Sequence, residues 1–267
     1  MAKRLVRKDF VPLGAECTRL ADDGRIHGFP SHKAWFISVD EKGPEPYGPT
    51  CAIKVMGREA FLAGKRLAPD LTSHDKTEDE DTVQTTGAGG GPGSTGGIDR
   101  ASQYYTSAVA YLELRGAALA SLPGIKFGVA SFGPLKKLFD VYRQNYELTA
   151  QQVQEVHKLE DAARAKAWVY SHMNLMDVYA AYHLLQRKRA TDHKKLQQMP
   201  ANTAASQQTR TLKNSIDWWD GLIRQLLQKL YLTPAQLEKS ELSLRDGAFP
   251  IDKCRKAPDN PEPTPVP

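Results

Sequence analysis

Residues 212–230 read Leu-Lys-Asn-Ser-Ile-Asp-Trp-Trp-Asp-Gly-Leu-Ile-Arg-Gln-Leu-Leu-Gln-Lys-Leu. Leu212, Ile216, Trp219, Ile223, Leu226 and Leu230 recur at spacings of 4, 3, 4, 3 and 4. That alternation sets apolar side chains along one stripe of an α-helix for about three heptads. Leu222 and Leu227 widen the stripe, so the helix belongs inside a bundle or at a subunit interface. Just beyond it, Thr233-Pro234-Ala235-Gln236 places a capping hydroxyl before a proline and opens another helix.

Working outward, the same period fills residues 100–247. Tyr105, Val109, Leu112 and Leu119 mark one helix, and Leu135, Leu138, Phe139, Tyr142 and Tyr146 a second, behind Pro134. Thr149 with Gln152 is a capping box that opens a long helix running through Tyr170. A restart at Asn174 carries Leu175, Val178, Tyr179, Tyr182 and Leu185. The expected fold is mainly α, with an antiparallel helical bundle over 100–247. A small α+β module over 1–72 precedes it. In that module 9–13 and 34–39 read as strands, the proline- and glycine-rich 43–49 as a turn, and 51–67 as one helix.

Between the two units, residues 73–99 hold the acidic run Glu78-Asp79-Glu80-Asp81 and a glycine-rich stretch from Gly87. Such composition buries too little apolar surface to offset its ordering entropy, so a disordered linker is expected. The glycines are not a phosphate-binding loop, because no Lys-Ser or Lys-Thr follows them. Residues 248–267 read as a disordered, proline-rich tail.

The 267 residues carry 36 Lys and Arg against 31 Asp and Glu, a net charge of +5 that permits an acidic partner. Three scattered cysteines are no disulfide framework, no apolar run is long enough to span a bilayer, and no apolar stretch follows the basic N-terminus. A soluble, cytoplasmic protein without membrane contact is expected. No nucleophile elbow, zinc-protease helix or repeated acidic motif is present, so no catalytic residue is assigned and a non-enzymatic role is expected.

Two sets of residues carry chemistry. Cys17, His27, His32 and Cys51 bring two thiols and two imidazoles into the N-terminal module, a set that zinc accepts tetrahedrally. A structural zinc ion is the one cofactor the sequence suggests. Lys136, Lys137, Arg187, Lys188, Arg189, Lys194 and Lys195 form basic clusters on helices, of the kind that neutralise phosphates. His157, His172 and His183 have no ligand-spaced companions and read as packing residues, as do Trp168, Trp218 and Trp219.

Gly48-Pro49-Thr50-Cys51 resembles the second half of a treble-clef zinc finger, where a Gly-Pro turn delivers a cysteine to the start of the last helix. The first knuckle reads Cys17-Thr18-Arg19-Leu20 with one thiol, and Val55 stands where a second helix ligand would be. The region 134–245 resembles the small-terminase family of tailed phages. The resemblance lies in Lys213-Asn214-Ser215-Ile216 opening a helix and Leu232-Thr233-Pro234-Ala235 turning into a last short one. It implies a ring-forming homo-oligomer of a phage or mobile element that contacts double-stranded DNA through the basic residues named above and serves DNA packaging. The other reading is a protein–protein adaptor using the zinc-finger-like module and the bundle, without nucleic acid.

Overall fold

The computed structural model describes residues 3–21, 24–40, 43–77, 100–130, 132–200 and 207–250. The expected linker from 78 onward and the tail from 251 onward lie outside the described residues. The chain is mainly α-helical, with a small antiparallel sheet at its N-terminal end.

Strand β1 (Lys3–Phe10) pairs with β2 (Lys33–Val39), which pairs with β3 (Glu45–Tyr47), all antiparallel. The expected first strand, 9–13, lies several residues earlier, because four cations among Lys3 to Lys8 hide its alternation. A bulge between Leu5 and Arg7 inserts Val6, so Leu5 and Val6 are both buried. The single helix expected over 51–67 is two, α1 (Pro49–Met56) and α2 (Arg58–Leu67). Gly57, at φ 85°, breaks them, a backbone setting that glycine takes without steric cost. Trp35, Ile37 and Ala52 pack with Phe61 of α2 to make the module's own core.

The helical body follows. α3 (Arg100–Glu113) passes into a π turn (Leu114–Ala118) and a short 3-10 turn (Leu119–Ser121). α4 (Phe127–Ala130), α5 (Gly133–Asn145) and α6 (Ala150–Lys166) come next. α7 (His172–Gln197), α8 (Gln207–Lys229) and α9 (Pro234–Ser240) complete it. The expected capping box at Thr149 forms, and the expected helix start at Thr233 proves to be a capping box with Gln236 as well. The long helix ends at Lys166 rather than Tyr170, and Ser171 caps α7 by accepting from the Asn174 amide.

The stripe that decides the fold closes within the chain. Ile216, Trp219, Ile223 and Leu226 are buried in the core that also holds Leu175, Val178, Tyr182 and Leu185 of α7. Leu230 is buried just past the end of α8 in a left-handed turn, whereas Leu212 is only half-buried near the helix start.

The two units meet at a buried junction. Phe10 and Leu71 sit among the buried side chains of the helical body. Arg7 reaches Glu113 of α3 at 3.3 Å, and the Tyr179 hydroxyl of α7 donates to Asp9 at 2.8 Å. Residues 73–77, expected as the start of a linker, are packed instead. His74 meets Asp177 at 2.8 Å, Asp75 meets Arg187 at 2.6 Å, and the Lys76 amide donates to the Ser243 carbonyl at 2.7 Å. Among the described residues no helix is long and apolar enough to cross a membrane.

Candidate functional site

The N-terminal module draws three metal-ligating side chains together. Cys17 is fixed by its amide donating to the His27 carbonyl at 2.9 Å and by the neighbouring bridge of Glu16 with Gly28. Gly48 and Pro49 open α1 and put Cys51 in its first turn. Cys51 Sγ lies 3.4 Å from His27 Nε2, and the ligand atoms of Cys17, His27 and Cys51 all fall within 4.8 Å of one another. Both cysteines are reduced and buried. Burial, and then the nearby Cys17, push the Cys51 thiol up. His27 Nδ1 is buried without a hydrogen-bond partner.

Two thiols and an imidazole at this separation suit a soft divalent cation, which would strip the thiol protons and reverse the upward shift. The group could therefore hold a metal ion. A cleft of about 390 Å³ opens beside it, with Arg19 and Lys54 among its walls.

His32 is not in this group. It closes a turn by donating its amide to the Phe29 carbonyl, at φ 56°, and lines a different cleft beside Arg187. The expected four-ligand set is thus three residues with the fourth turned toward α7. Sequence spacing carries no sign of that left-handed turn.

The seven expected basic residues divide between pairing and exposure. Lys136 is bound to Asp140 one turn along α5, and Lys137 is exposed beside it. Arg187 is tied to Asp75, and Arg189 to Asp220 of α8 at 2.6 Å. Lys188 lies over the Trp219 ring at 5.7 Å. Lys194 and Lys195 are exposed, with Lys195 3.4 Å from Asp192.

The end of α7 meets the start of α8. Asp192 accepts from Ser215 at 2.6 Å and from the Trp219 indole at 2.9 Å. Burial works against the Asp192 carboxylate, yet the hydrogen bonds from Ser215, Trp219 and Lys195 outweigh it and hold its pKa below the ordinary value. This apposition adds two exposed cations that the sequence reading did not single out, Arg210 and Lys213 on the opening turns of α8. Their spacing of three residues on an outward face was the available signal. Over residues 186–215 the chain carries seven Lys and Arg and the single acid Asp192; with Arg187 and Arg189 tied to Asp75 and Asp220, five cations remain and this end of the helix pair is positive.

Two further histidines have local partners. His157 stacks on Tyr104 and meets Glu160 at 3.4 Å, while His172 packs edge-on against Tyr111. Comparison with protein-family models, with curated proteins and with solved structures returns no match for this chain.

Proposed function

We propose that the chain is a non-enzymatic protein that binds double-stranded DNA through the basic end of the α7–α8 pair. The observation that carries this reading is the apposition of Lys188, Lys194, Lys195, Arg210 and Lys213 on two helices held together by Asp192. Phosphate binding is driven by release of condensed counterions, and it rewards several cations fixed at one end of a rigid element. Five phosphate contacts correspond to a log–log salt slope of about −4 to −5. The role resembling a small terminase, a homo-oligomer in phage DNA packaging, is the particular form we put forward. In this reading Cys17, His27 and Cys51 hold a structural zinc ion that ties the 17–27 loop to α1. The ion would supply cross-linking only.

The test is fluorescence anisotropy of a labelled duplex across a salt series, beside the mass of the protein in solution. Reversing Lys194 and Lys195 to Glu should weaken binding strongly and reduce the slope by roughly two. Absence of binding at low salt, or a slope indifferent to the reversal, removes the DNA reading.

One observation favours the adaptor reading. Leu20 and Ile26 are exposed on the loop that carries Cys17 and His27, at 51% and 60%, which suits a protein partner. A hetero-complex that survives nuclease and high salt, and is lost when Leu20 and Ile26 become Ser, would favour it over the first.

A further inference from the structure

A second cleft, of about 580 Å³, lies where the N-terminal module meets α7. One face of α7 lines it with Tyr179, Tyr182, His183, Gln186 and Arg187, at the spacing of a single helical stripe. The module supplies Arg7, His32 and Phe36 opposite, and the π turn supplies Ala117 and Ala118. Its size and its place between two packed units are those of small-molecule sites. The backbone around it is irregular on two sides. The π turn ends there, and His32 sits at φ 56°, both features that concentrate at binding sites.

The polar groups of the cleft are not all satisfied within the protein. His183 Nε2 and Arg187 Nε are buried without hydrogen-bond partners. Arg187 spends its Nη2 on Asp75, and that carboxylate is shared with Lys33 at 3.5 Å. Arg187 Nη2 and Lys33 thus meet on one buried carboxylate, while the Arg187 Nε keeps no acceptor within the protein. The opposite end is balanced differently. Arg7 is held by Asp9 and Glu113, and burial raises the pKa of both acids. Between the two ends the walls are apolar, with Phe36 under the Arg7 guanidinium at 4.7 Å, Leu122 and the Tyr182 ring.

The geometry points to a binding site for a small amphipathic organic acid, its acid group on Arg187 and His183 and its apolar body against Phe36, Tyr182 and Leu122. A neutral His183 offers one N–H without adding charge, and the Arg187 Nε–H gives a charge-assisted bond. The apolar walls take a body about the size of a fused ring pair. This site shares no residue with the metal-ligating group, and its test does not involve nucleic acid.

The experiment is calorimetric titration of the full chain with naphthoate, and with naphthalenemethanol as its uncharged counterpart. One equivalent of naphthoate should bind, with the alcohol weaker by about tenfold or more. Arg187→Lys keeps a cation for Asp75 and removes the Nε donor, and it should weaken naphthoate about tenfold. Ala117→Phe fills the cleft and should abolish binding while the circular dichroism spectrum stays unchanged. Should that variant fail to fold, Ser121→Trp at the exposed rim serves the same purpose. Absence of naphthoate binding, equal binding of acid and alcohol, or binding that survives a folded cleft-filling variant would each overturn the proposal.

Discussion

His183 shows how one side chain is set by its neighbours rather than by its own chemistry. It stacks on Phe10 at 4.3 Å and meets Tyr179 and Tyr182 edge-on. Burial, then the Arg187 charge, lower its pKa from 6.5 to about 3, with Asp75 opposing weakly. The unfolded chain therefore takes up a proton near pH 6.5 that the folded chain refuses until about 3. The stabilisation is present above 6.5 and is lost as pH falls through that window, at up to about 1.4 kcal/mol per pH unit. His183→Phe should flatten the dependence of the urea midpoint between about pH 6 and pH 4 relative to the parent protein. Comparing variant with parent cancels Asp9 and Glu113, whose raised pKa values act in the opposite direction. Equal slopes in the two proteins would mean that His183 is not held neutral.

At the scale of elements, the ends of the helices are written in local chemistry. Thr233 accepts from the Gln236 amide, and the Gln236 side chain accepts from the Thr233 amide at 2.9 Å. Gln236 also exchanges two hydrogen bonds with Gln225 of α8, so the cap fastens α9 to the long helix. Thr233→Ala should cost about 1 kcal/mol in chemical denaturation, and Gln236→Ala more, since it breaks both the cap and the bridge. Inside the π turn one residue choice has a tertiary cause instead. Gly116 lies against Phe139 of α5 so closely that an added Cβ would fall 2.4 Å from the ring. Neighbouring packing, not helix propensity, selects glycine there.

For the whole molecule, the buried contacts at the junction make the sheet and the helices one structure. Asp75 sits fully buried between Lys33 of β2 and Arg187 of α7. Replacing it with Ala removes the carboxylate that Lys33 and Arg187 share and should destabilise by about 3–5 kcal/mol. Thermal unfolding of the parent should show a single transition by both far-ultraviolet dichroism and tryptophan fluorescence, because Trp35 and Trp219 report on opposite units. Two separated transitions would mean that the junction contributes little.

Much of this protein could be read from local pattern. The α8 stripe, the Thr149 capping box, the proline-started helices and the strand around Ala34 to Val39 depend on residues within a turn or two of each other. Nearest-neighbour sterics and periodic burial decide such features. The meeting of Cys17, His27 and Cys51 was legible in part, because Gly48-Pro49 announces the helix start that carries Cys51. The exclusion of His32, the pairing of Arg187 and Arg189 with acids distant in sequence, and the packing of 73–77 were not. Each depends on which groups meet across a fold, and the strength of a charge contact is set by the burial that only tertiary packing creates. Sequence determined the helical class and the basic character of one helix end. Tertiary structure decided which cations face solvent, which ligands converge, and that Phe10 of β1 enters the core of the bundle.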